Sequence, residues 1–275
     1  MTRLTKRVSA ALAFLLALYA ATPAFSQERD RLDHRTELLG WEGVGRLDVA
    51  GGSCTGTLIS RNLVLTAAHC VVDDNTGRGW PKKTMRFHAG YTHGYTAASR
   101  GVTKVVVAKG YRIDPGNSLT EQVRTDLALL RLDSDIFSTE AEPFRLHSRS
   151  LSKQSVTLVS YGRGRNQSLQ RESGCRHKDT YRGGIMTFDC DVTFGSSGAP
   201  VFTTEDGRLR IVSVVSMMST VPGQDKEAIG MSLPLVVADM KREMRNDASR
   251  APVSNGAKRV KIGQRSTGGA RFVKP

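Results

Sequence analysis

Three residues of this chain could together carry out nucleophilic hydrolysis. His69 stands in the segment LTAAHC (residues 65–70), Asp126 in TDLALL (residues 125–130) and Ser197 in GSSGAP (residues 195–200). A neutral serine hydroxyl is a weak nucleophile, and a nearby histidine can take its proton because imidazole changes charge near neutral pH. A carboxylate beside the histidine holds the ring in the tautomer that accepts this proton. These residue types predict attack by Ser197 on an acyl carbon.

Glycines around the serine suit the other requirement of acyl transfer. The backbone N–H groups of Gly195 and Ser197 are candidates to bind the oxygen that becomes negative during attack, and glycine allows the backbone to turn closely there. Taken singly, each residue has an ordinary interpretation: Ser197 a turn, His69 a core histidine, Asp126 a carboxylate at a strand edge. Each segment also adjoins an apolar strand pattern, and this coincidence favours one catalytic site.

The elements that must position these residues have an all-β pattern. Short apolar runs alternate with clusters of Gly, Asp, Asn and Ser, and no long amphipathic helix lies between them: residues 102–107, 127–132, 156–159, 185–188 and 209–215. Such a pattern favours barrels or sandwiches. The spacing of the three residues and the polar stretch at residues 138–155 favour two barrels, with His69 and Asp126 in the first and Ser197 in the second.

Residues 40–246 resemble the trypsin-like, chymotrypsin-fold serine peptidases, particularly their bacterial secreted branch. The resemblance rests on the three motifs in the order His, Asp, Ser, on GSCTGTLIS (residues 52–60) and on Tyr161-Gly162. It implies two six-stranded antiparallel β-barrels, and peptide-bond hydrolysis through an acyl-enzyme without a cofactor. Four cysteines alone permit three pairings. The resemblance implies Cys54–Cys70 and leaves Cys175–Cys190.

Two departures from the family pattern concern activation. Ser196 stands where the family motif commonly has the aspartate that pairs with a newly cut amino terminus. Residues 36–41 (TELLGW) also lack the Ile-Val-Gly-Gly start that would insert into such a site. We therefore expect the oxyanion site to form without proteolytic release of a new terminus.

The substrate preference stays open at the level of sequence. Asp191 lies six residues before Ser197, where trypsins carry the carboxylate at the base of the specificity pocket, and this spacing favours Arg or Lys. Ser213 and Val215 are expected in the pocket wall, and the branched Val215 would narrow the pocket toward small or apolar residues. No histidine follows His177, which argues against acidic specificity.

The amino-terminal residues have the pattern of an export signal. Arg3, Lys6 and Arg7 precede the apolar run at residues 8–21, and small residues end the segment at Ser26. An uncleaved membrane anchor is the alternative, although the run is shorter than a span of about 20 residues. Cleavage after Ser26 removes three cationic residues and lowers the net charge from +14 to +11. We predict a secreted or periplasmic protein, with an extension at residues 27–39 and barrels at residues 40–140 and 141–246.

The carboxyl-terminal part divides into a helix and a tail. An amphipathic helix is predicted at residues 233–245, with four apolar residues facing the core: Leu235, Val236, Met240 and Met244. Residues 247–275 carry seven Lys or Arg against one acid, so we predict a disordered tail.

The partners expected besides a protein or peptide substrate are few. The tail suits weak contact with polyanions or the cell envelope, whereas its single aromatic residue, Phe272, argues against a dedicated nucleic-acid site. His88 and His93 match no metal-ligand spacing, and we expect a monomer without a metal. The alternative function is an inactive module of the same fold that binds peptides or anionic surfaces.

Overall fold

Two closed antiparallel β-barrels make up most of the chain. The computed structural model describes residues 28–50, 52–73, 76–112, 118–151, 154–219 and 227–246. The strands of the first barrel are β2 (Val44–Val49), β3 (Gly52–Ser60), β4 (Leu63–Thr66), β5 (Arg86–Ala89), β6 (Ala98–Val107) and β7 (Ala128–Leu132). They close in the order β2-β3-β4-β7-β6-β5.

The second barrel has six strands in the wall and two at its margins. The strands of the wall are β9 (Ser155–Ser160), β10 (Leu169–Thr180), β11 (Ile185–Phe188), β12 (Pro200–Glu205), β13 (Arg208–Ser219) and β14 (Glu227–Met231). They follow the order β9-β10-β11-β14-β13-β12, and β12 returns to β9. The marginal strands are β1 (Glu28–Leu32), paired with β10, and β8 (Arg145–Leu146), paired in parallel with β13.

Apolar side chains fill each barrel and the space between the barrels. Leu47, Leu58 and Phe87 belong to the core of the first barrel, and the cluster inside the second includes Val156 and Phe188. A third cluster joins residues of both barrels with the carboxyl-terminal helix, among them Leu65, Leu129, Val159, Phe202 and Met240. Burial of this shared surface stabilises the contact between the barrels. Each Å² of apolar area removed from water contributes about 25 cal/mol of free energy.

Helix α1 (Leu119–Thr125) comes directly before Asp126. Its amino-terminal cap is Ser118, whose Oγ accepts the backbone N–H of Glu121 at 3.2 Å. The carboxyl end turns at Asp126 and continues into β7, so the helix fixes the start of that strand. The sequence patterns did not predict this short helix.

Helix α2 (Pro234–Asn246) occupies the region of the predicted carboxyl-terminal helix. Val237, Met240 and Met244 are buried as the face that packs on the core, but Leu235 is 83% exposed, so its predicted place on that face is wrong. Since 3.6 residues make one turn, Val237 rather than Leu235 shares a face with Met240 and Met244. Arg131 of β7 donates to the carbonyl of Met244 at 2.8 Å, which satisfies one backbone acceptor at the helix end.

The predicted all-β fold of two six-stranded barrels with a carboxyl-terminal helix is confirmed. The five apolar runs singled out above lie in strands, except that Leu127 comes directly before β7. The predicted signal peptide and basic tail lie outside the described residues. Within the ranges given above, no helix has the length and apolar character needed to cross a bilayer.

The buried side chain of His177 in β10 is expected to make the stability of the protein sensitive to acid. Its side chain is 4% exposed and lies beside Phe188, with Nε2 2.9 Å from Thr180 Oγ1. Burial lowers the pKa of His177 below its ordinary value of 6.5, against a smaller opposing effect of Asp179. Below that value the unfolded chain takes up a proton that the folded chain resists, so the free energy of unfolding should decrease as pH falls from 7 to 5.

Urea denaturation of the wild type and of His177→Gln at both pH values measures this effect. The glutamine cannot titrate and its amide can still reach Thr180, so the variant should lose less stability on acidification than the wild type. Comparing the two losses separates the contribution of His177 from that of the other ionisable groups of the chain. Equal losses in the two proteins would show that His177 does not contribute.

Candidate active site

His69 and Asp126 are brought together by the pairing of β4 with β7. Thr66 ends β4 and lies opposite Ala128 at the start of β7. His69 follows three residues later in a 3-10 turn (Ala68–Cys70), and Asp126 comes two residues before Ala128. Because the strands are antiparallel, both side chains belong to the same end of the first barrel.

The Asp126 carboxylate is buried, at 4% exposure, and accepts three hydrogen bonds. Its Oδ1 accepts the backbone N–H of His69 at 2.9 Å, and its Oδ2 lies 2.7 Å from His69 Nδ1. Ser216 of β13 donates its hydroxyl to the same Oδ2 at 2.6 Å. These contacts hold the carboxylate rigidly against the ring, so Nδ1 carries the proton and Nε2 is left as the basic nitrogen.

The loop that carries Ser197 is anchored to the first barrel through Thr55 of β3. The backbone N–H of Thr55 donates to the Ser197 carbonyl at 2.9 Å, and its hydroxyl donates to the Gly195 carbonyl at 2.9 Å. Gly198 has φ of +78°, and a Cβ atom at this position would collide with Thr66 Oγ1 and the Thr55 carbonyl. Only glycine permits this close approach of the two backbones.

The peptide between Phe194 and Gly195 is held by a hydrogen bond to its carbonyl. The Phe194 carbonyl accepts the backbone N–H of Arg163 at 2.5 Å. In a trans peptide the C=O and the following N–H point in opposite directions, so the Gly195 N–H points away from Arg163. Gly195 has φ of +87°, and an added Cβ would lie 2.5 Å from the Tyr161 carbonyl. The turn therefore requires glycine.

Ser196 secures the same loop without a charge. It is 1% exposed, its Oγ donates to Ser160 Oγ at 3.2 Å, and the Thr193 N–H lies 3.4 Å from that Oγ. Neutral hydrogen bonds thus occupy the place where the family motif commonly has an aspartate. That the oxyanion site forms without a new amino terminus stays a prediction.

His69 and Ser197 line one cleft between the barrels, with a volume of about 850 Å³. The first barrel contributes residues 52–54 and His69 to it. The second barrel contributes three groups of residues, from the connection between β9 and β10, from the loop before Ser197 and from β13: Tyr161, Arg163 and Asn166; Val192, Thr193, Phe194 and Gly195; Val215, Ser216, Met217 and Met218. A cleft of this size accommodates several side chains of an extended peptide.

The three predicted substrate-binding residues have different surroundings. Val215 lines the cleft. Ser213 does not, because it is buried inside the second barrel and donates its hydroxyl to the Met231 carbonyl at 3.0 Å. Asp191 also lies outside the cleft lining, and its carboxylate is 2.7 Å from the guanidinium of Arg29.

Two polar residues that support the site were missed in the sequence. Ser216 bonds to Asp126, and Thr55 joins the serine loop to the first barrel. The sequence does contain a sign of Ser216, because a second serine stands three residues after Ser213 in the same apolar run. A shift in strand pairing between Val215 and Met217 changes which side chains face the cleft, and alternation along the strand does not reveal such a shift.

Both predicted disulfides are formed. Cys54–Cys70 lies directly beside His69 and fixes the turn that carries it, while Cys175–Cys190 joins β10 to the segment before Asp191. Cys54 and Cys70 are near enough to His69 to suggest a metal group. Their sulfurs are bonded to each other, however, and a metal would require the free thiolates.

The chain resembles known proteins that are described as peptidases or serine proteases. The family model of the trypsin-like peptidase domain matches residues 54–210. A modular serine protease of Drosophila melanogaster is 35% identical over 114 residues, which are 39% of this chain and 16% of that protein. Venom serine protease 34 of Apis mellifera is 29% identical over 133 residues, or 44% and 30% of the two chains. The chain thus spans less than a third of each relative.

Solved structures share the fold over most of the chain. A Glu endopeptidase in complex with MPD aligns with a TM-score of 0.65 at 19% identity, over 80% of this chain and 98% of the other. The protease Anisep from Arthrobacter nicotinovorans aligns with a TM-score of 0.59 at 18% identity, over 74% and 94% of the two chains. At such identities the alignments establish a common architecture.

Proposed function

This chain belongs to the trypsin-like peptidase domain family, and from that premise we propose that it is an exported serine endopeptidase of the bacterial secreted branch. In this proposal Ser197 is the nucleophile, His69 the general base and acid, and Asp126 the residue that orients His69. One observation carries the proposal: the buried Asp126 carboxylate holds His69 Nδ1 at 2.7 Å, and His69 and Ser197 line the same cleft.

The reaction follows from the chemistry of these groups. Ser197 Oγ forms a bond to the substrate carbonyl carbon while its proton passes to His69 Nε2, and Asp126 stabilises the resulting imidazolium. Collapse of the tetrahedral intermediate breaks the C–N bond, and His69 gives its proton to the leaving amine. Water then attacks the acyl-enzyme by the same route and restores Ser197.

The oxygen of the tetrahedral intermediate needs hydrogen-bond donors that are in place beforehand. We assign this role to the backbone N–H groups of Gly195 and Ser197. The bond from Arg163 to the Phe194 carbonyl supports the assignment, because it keeps that carbonyl from turning toward the developing negative charge. Loss of one such donor typically raises the barrier by about 3–4 kcal/mol.

Export is part of the proposal. Two formed disulfides are typical of proteins that fold in an oxidising compartment, and the amino-terminal residues have the pattern of a secretory signal. The partner is a protein or peptide substrate that binds in the cleft. Weak contact of the basic tail with anionic surfaces remains a separate prediction from composition.

Labelling with an organophosphonate tests the proposal. Only a serine activated by a neighbouring base reacts efficiently, so mass spectrometry should find one adduct on the peptide that contains Ser197. The labelled protein should lose peptide hydrolysis in the same proportion. The heat-unfolded protein is the control and should not react. A folded, disulfide-bonded sample that neither reacts nor cleaves peptides would instead support the inactive peptide-binding module.

A further inference from the structure

Four cationic side chains, which we call the cation cluster, meet at the carboxyl-terminal end of α2. Lys104 of β6 lies directly opposite Arg131 of β7 in the pairing of these strands. Both donate to backbone carbonyls in the last turn of the helix, at 3.3 and 2.8 Å. Lys241 and Arg245 belong to α2 itself and stand four residues apart. The cluster thus joins two strands of the first barrel to the helix.

These positions place like charges side by side twice. Cations directly opposite each other on paired strands repel, and so do cations at positions i and i+4 of a helix. The carboxyl end of a helix carries only about half a negative charge, so its carbonyls offset a small part of the four positive charges. Burial lowers the pKa of Lys241 below its ordinary value, and the charge of Arg245 lowers it further. The repulsion is therefore present in the folded protein and opposes folding.

Protein carboxylates do not neutralise the two helix cations of the cluster. Among the residues that the structure describes, no Asp or Glu forms an ion pair with Lys241 or Arg245. By contrast, Arg242 of the same helix is paired with Asp239. An arrangement that opposes folding and has no counterion of its own is expected at a functional site, and here the missing partner is an anion.

The cation cluster forms part of the wall of a pocket of about 420 Å³. Arg131, Lys241 and Arg245 line it, together with four uncharged residues: Ser60, Asn62, Leu63 and Met244. Asp135, which accepts the Asn62 amide at 2.9 Å, is not part of this lining. An anion that enters the pocket meets three cations from two elements of the fold. Two of them are guanidinium groups, which suit the oxygens of a phosphate or sulfate group.

The surroundings of the pocket favour a flexible polymer over a membrane or a nucleic acid. Val237, Met240 and Met244 of α2 are buried against the core, so the helix does not present this apolar face to a lipid interface. The lining residues include no aromatic ring on which a nucleic-acid base could stack. Residues 247–275 begin two positions after Arg245 and add seven Lys or Arg, so a long anionic chain can engage the pocket and the tail at once.

We propose that this pocket binds the phosphate or sulfate groups of an anionic polysaccharide, and that the enzyme attaches to such a polymer through the end of α2. Lys241 and Arg245 supply the charge, and Arg131 is shared between the ligand and the end of the helix. The proposal goes beyond peptide hydrolysis and does not depend on it, because the pocket and the catalytic cleft have no lining residue in common.

Thermal unfolding with inorganic phosphate or sulfate tests the pocket by itself. The full chain carries Ser197→Ala, so that self-cleavage cannot trim the tail. Compared with chloride at the same ionic strength, either anion should raise Tm. Lys241→Gln combined with Arg245→Gln should lose most of this rise, whereas Arg242→Gln, which changes the cation paired with Asp239, should keep it. Both anions also stabilise proteins in general, so the difference between the variants decides. An equal rise in both variants would overturn the proposal.

Calorimetric titration with dextran sulfate and with phosphorylated dextran tests the class of ligand. The double variant of Lys241 and Arg245 should bind these polymers about tenfold or more weakly than its parent, and Arg242→Gln should bind them like the parent. Lys258→Gln combined with Arg259→Gln, in the tail, should weaken polymer binding but keep the rise in Tm with phosphate or sulfate. Loss of that rise in the tail variant would assign the anion to the tail and overturn the proposal.

Vesicles that contain phosphatidylglycerol and single-stranded DNA serve as comparison ligands. The double variant should lose little affinity for either of them, because the tail supplies the charge that they require. A loss of affinity confined to vesicles or to DNA would assign the pocket to lipid or to nucleic acid and refute the polysaccharide. An equal loss for every ligand would indicate general charge attraction and refute it as well. A loss for only one of the two dextrans would uphold the site and identify the ester that it binds.

Discussion

Replacing Ser197 with alanine is expected to lower kcat for peptide hydrolysis by about six orders of magnitude. The methyl group cannot form the acyl-enzyme. Any remaining hydrolysis must come from direct attack of water on the substrate carbonyl carbon. The fold should not change, because the loop is held by its backbone: the Ser197 carbonyl accepts the Thr55 N–H, and the Gly198 N–H donates to the Val215 carbonyl. Hydrolysis of a fluorogenic peptide over a wide range of enzyme concentration measures the loss.

The neighbouring serine provides a matched control for this variant. Ser196 bonds to Ser160 on the side of the loop away from the cleft, so Ser196→Ala removes a hydroxyl of equal size without touching the reacting atoms. Its cost should be limited to about 1–3 kcal/mol of stability from the lost hydrogen bonds to Ser160 and Thr193. If both variants lost activity equally, or if Ser197→Ala stayed active, Ser197 could not be the nucleophile.

Replacing Asp126 with asparagine is expected to lower kcat about 10⁴-fold. The carboxylate accepts from His69 Nδ1, from the His69 backbone and from Ser216. The amide has one oxygen and one nitrogen, so its NH₂ group would face Nδ1 and favour the tautomer with the proton on Nε2. That tautomer cannot accept the Ser197 proton. Since the two side chains are similar in size, the loss should arise from the tautomer rather than from packing.

The kinetic pattern distinguishes this cause from a general loss of structure. Asp126→Asn should decrease kcat with little change in KM, because neither the cleft lining nor the Ser197 loop is altered. Ser216→Ala serves as the comparison, since it removes one donor from the same carboxylate and leaves its charge. A loss in Ser216→Ala as large as that in Asp126→Asn would contradict the proposed role of the carboxylate. Thermal unfolding of both variants checks that the first barrel remains folded.

Motif chemistry and strand periodicity predicted the barrels, but local patterns could not settle which side chains face the cleft. Ser213 and Ser216 are three residues apart in one strand, and the sequence favoured Ser213 for the pocket wall. Ser216 reaches Asp126 of the first barrel while Ser213 bonds inside the second, and the pairing of β13 with β14 shifts between Val215 and Met217. A shift of one residue reverses the face of every later side chain, and it depends on the partner strand.

The sequence by itself determined the residue types that could perform acyl transfer, the all-β architecture and, through the family resemblance, both disulfide pairs. These properties depend on short segments whose chemistry or periodicity is local. Only the tertiary structure decided the surroundings of Asp191. Arg29 lies 162 positions before Asp191 and reaches it because β1 pairs with β10. Ion pairs between distant segments depend on how strands pair across the whole domain, and the spacing of charges along the chain does not encode that pairing.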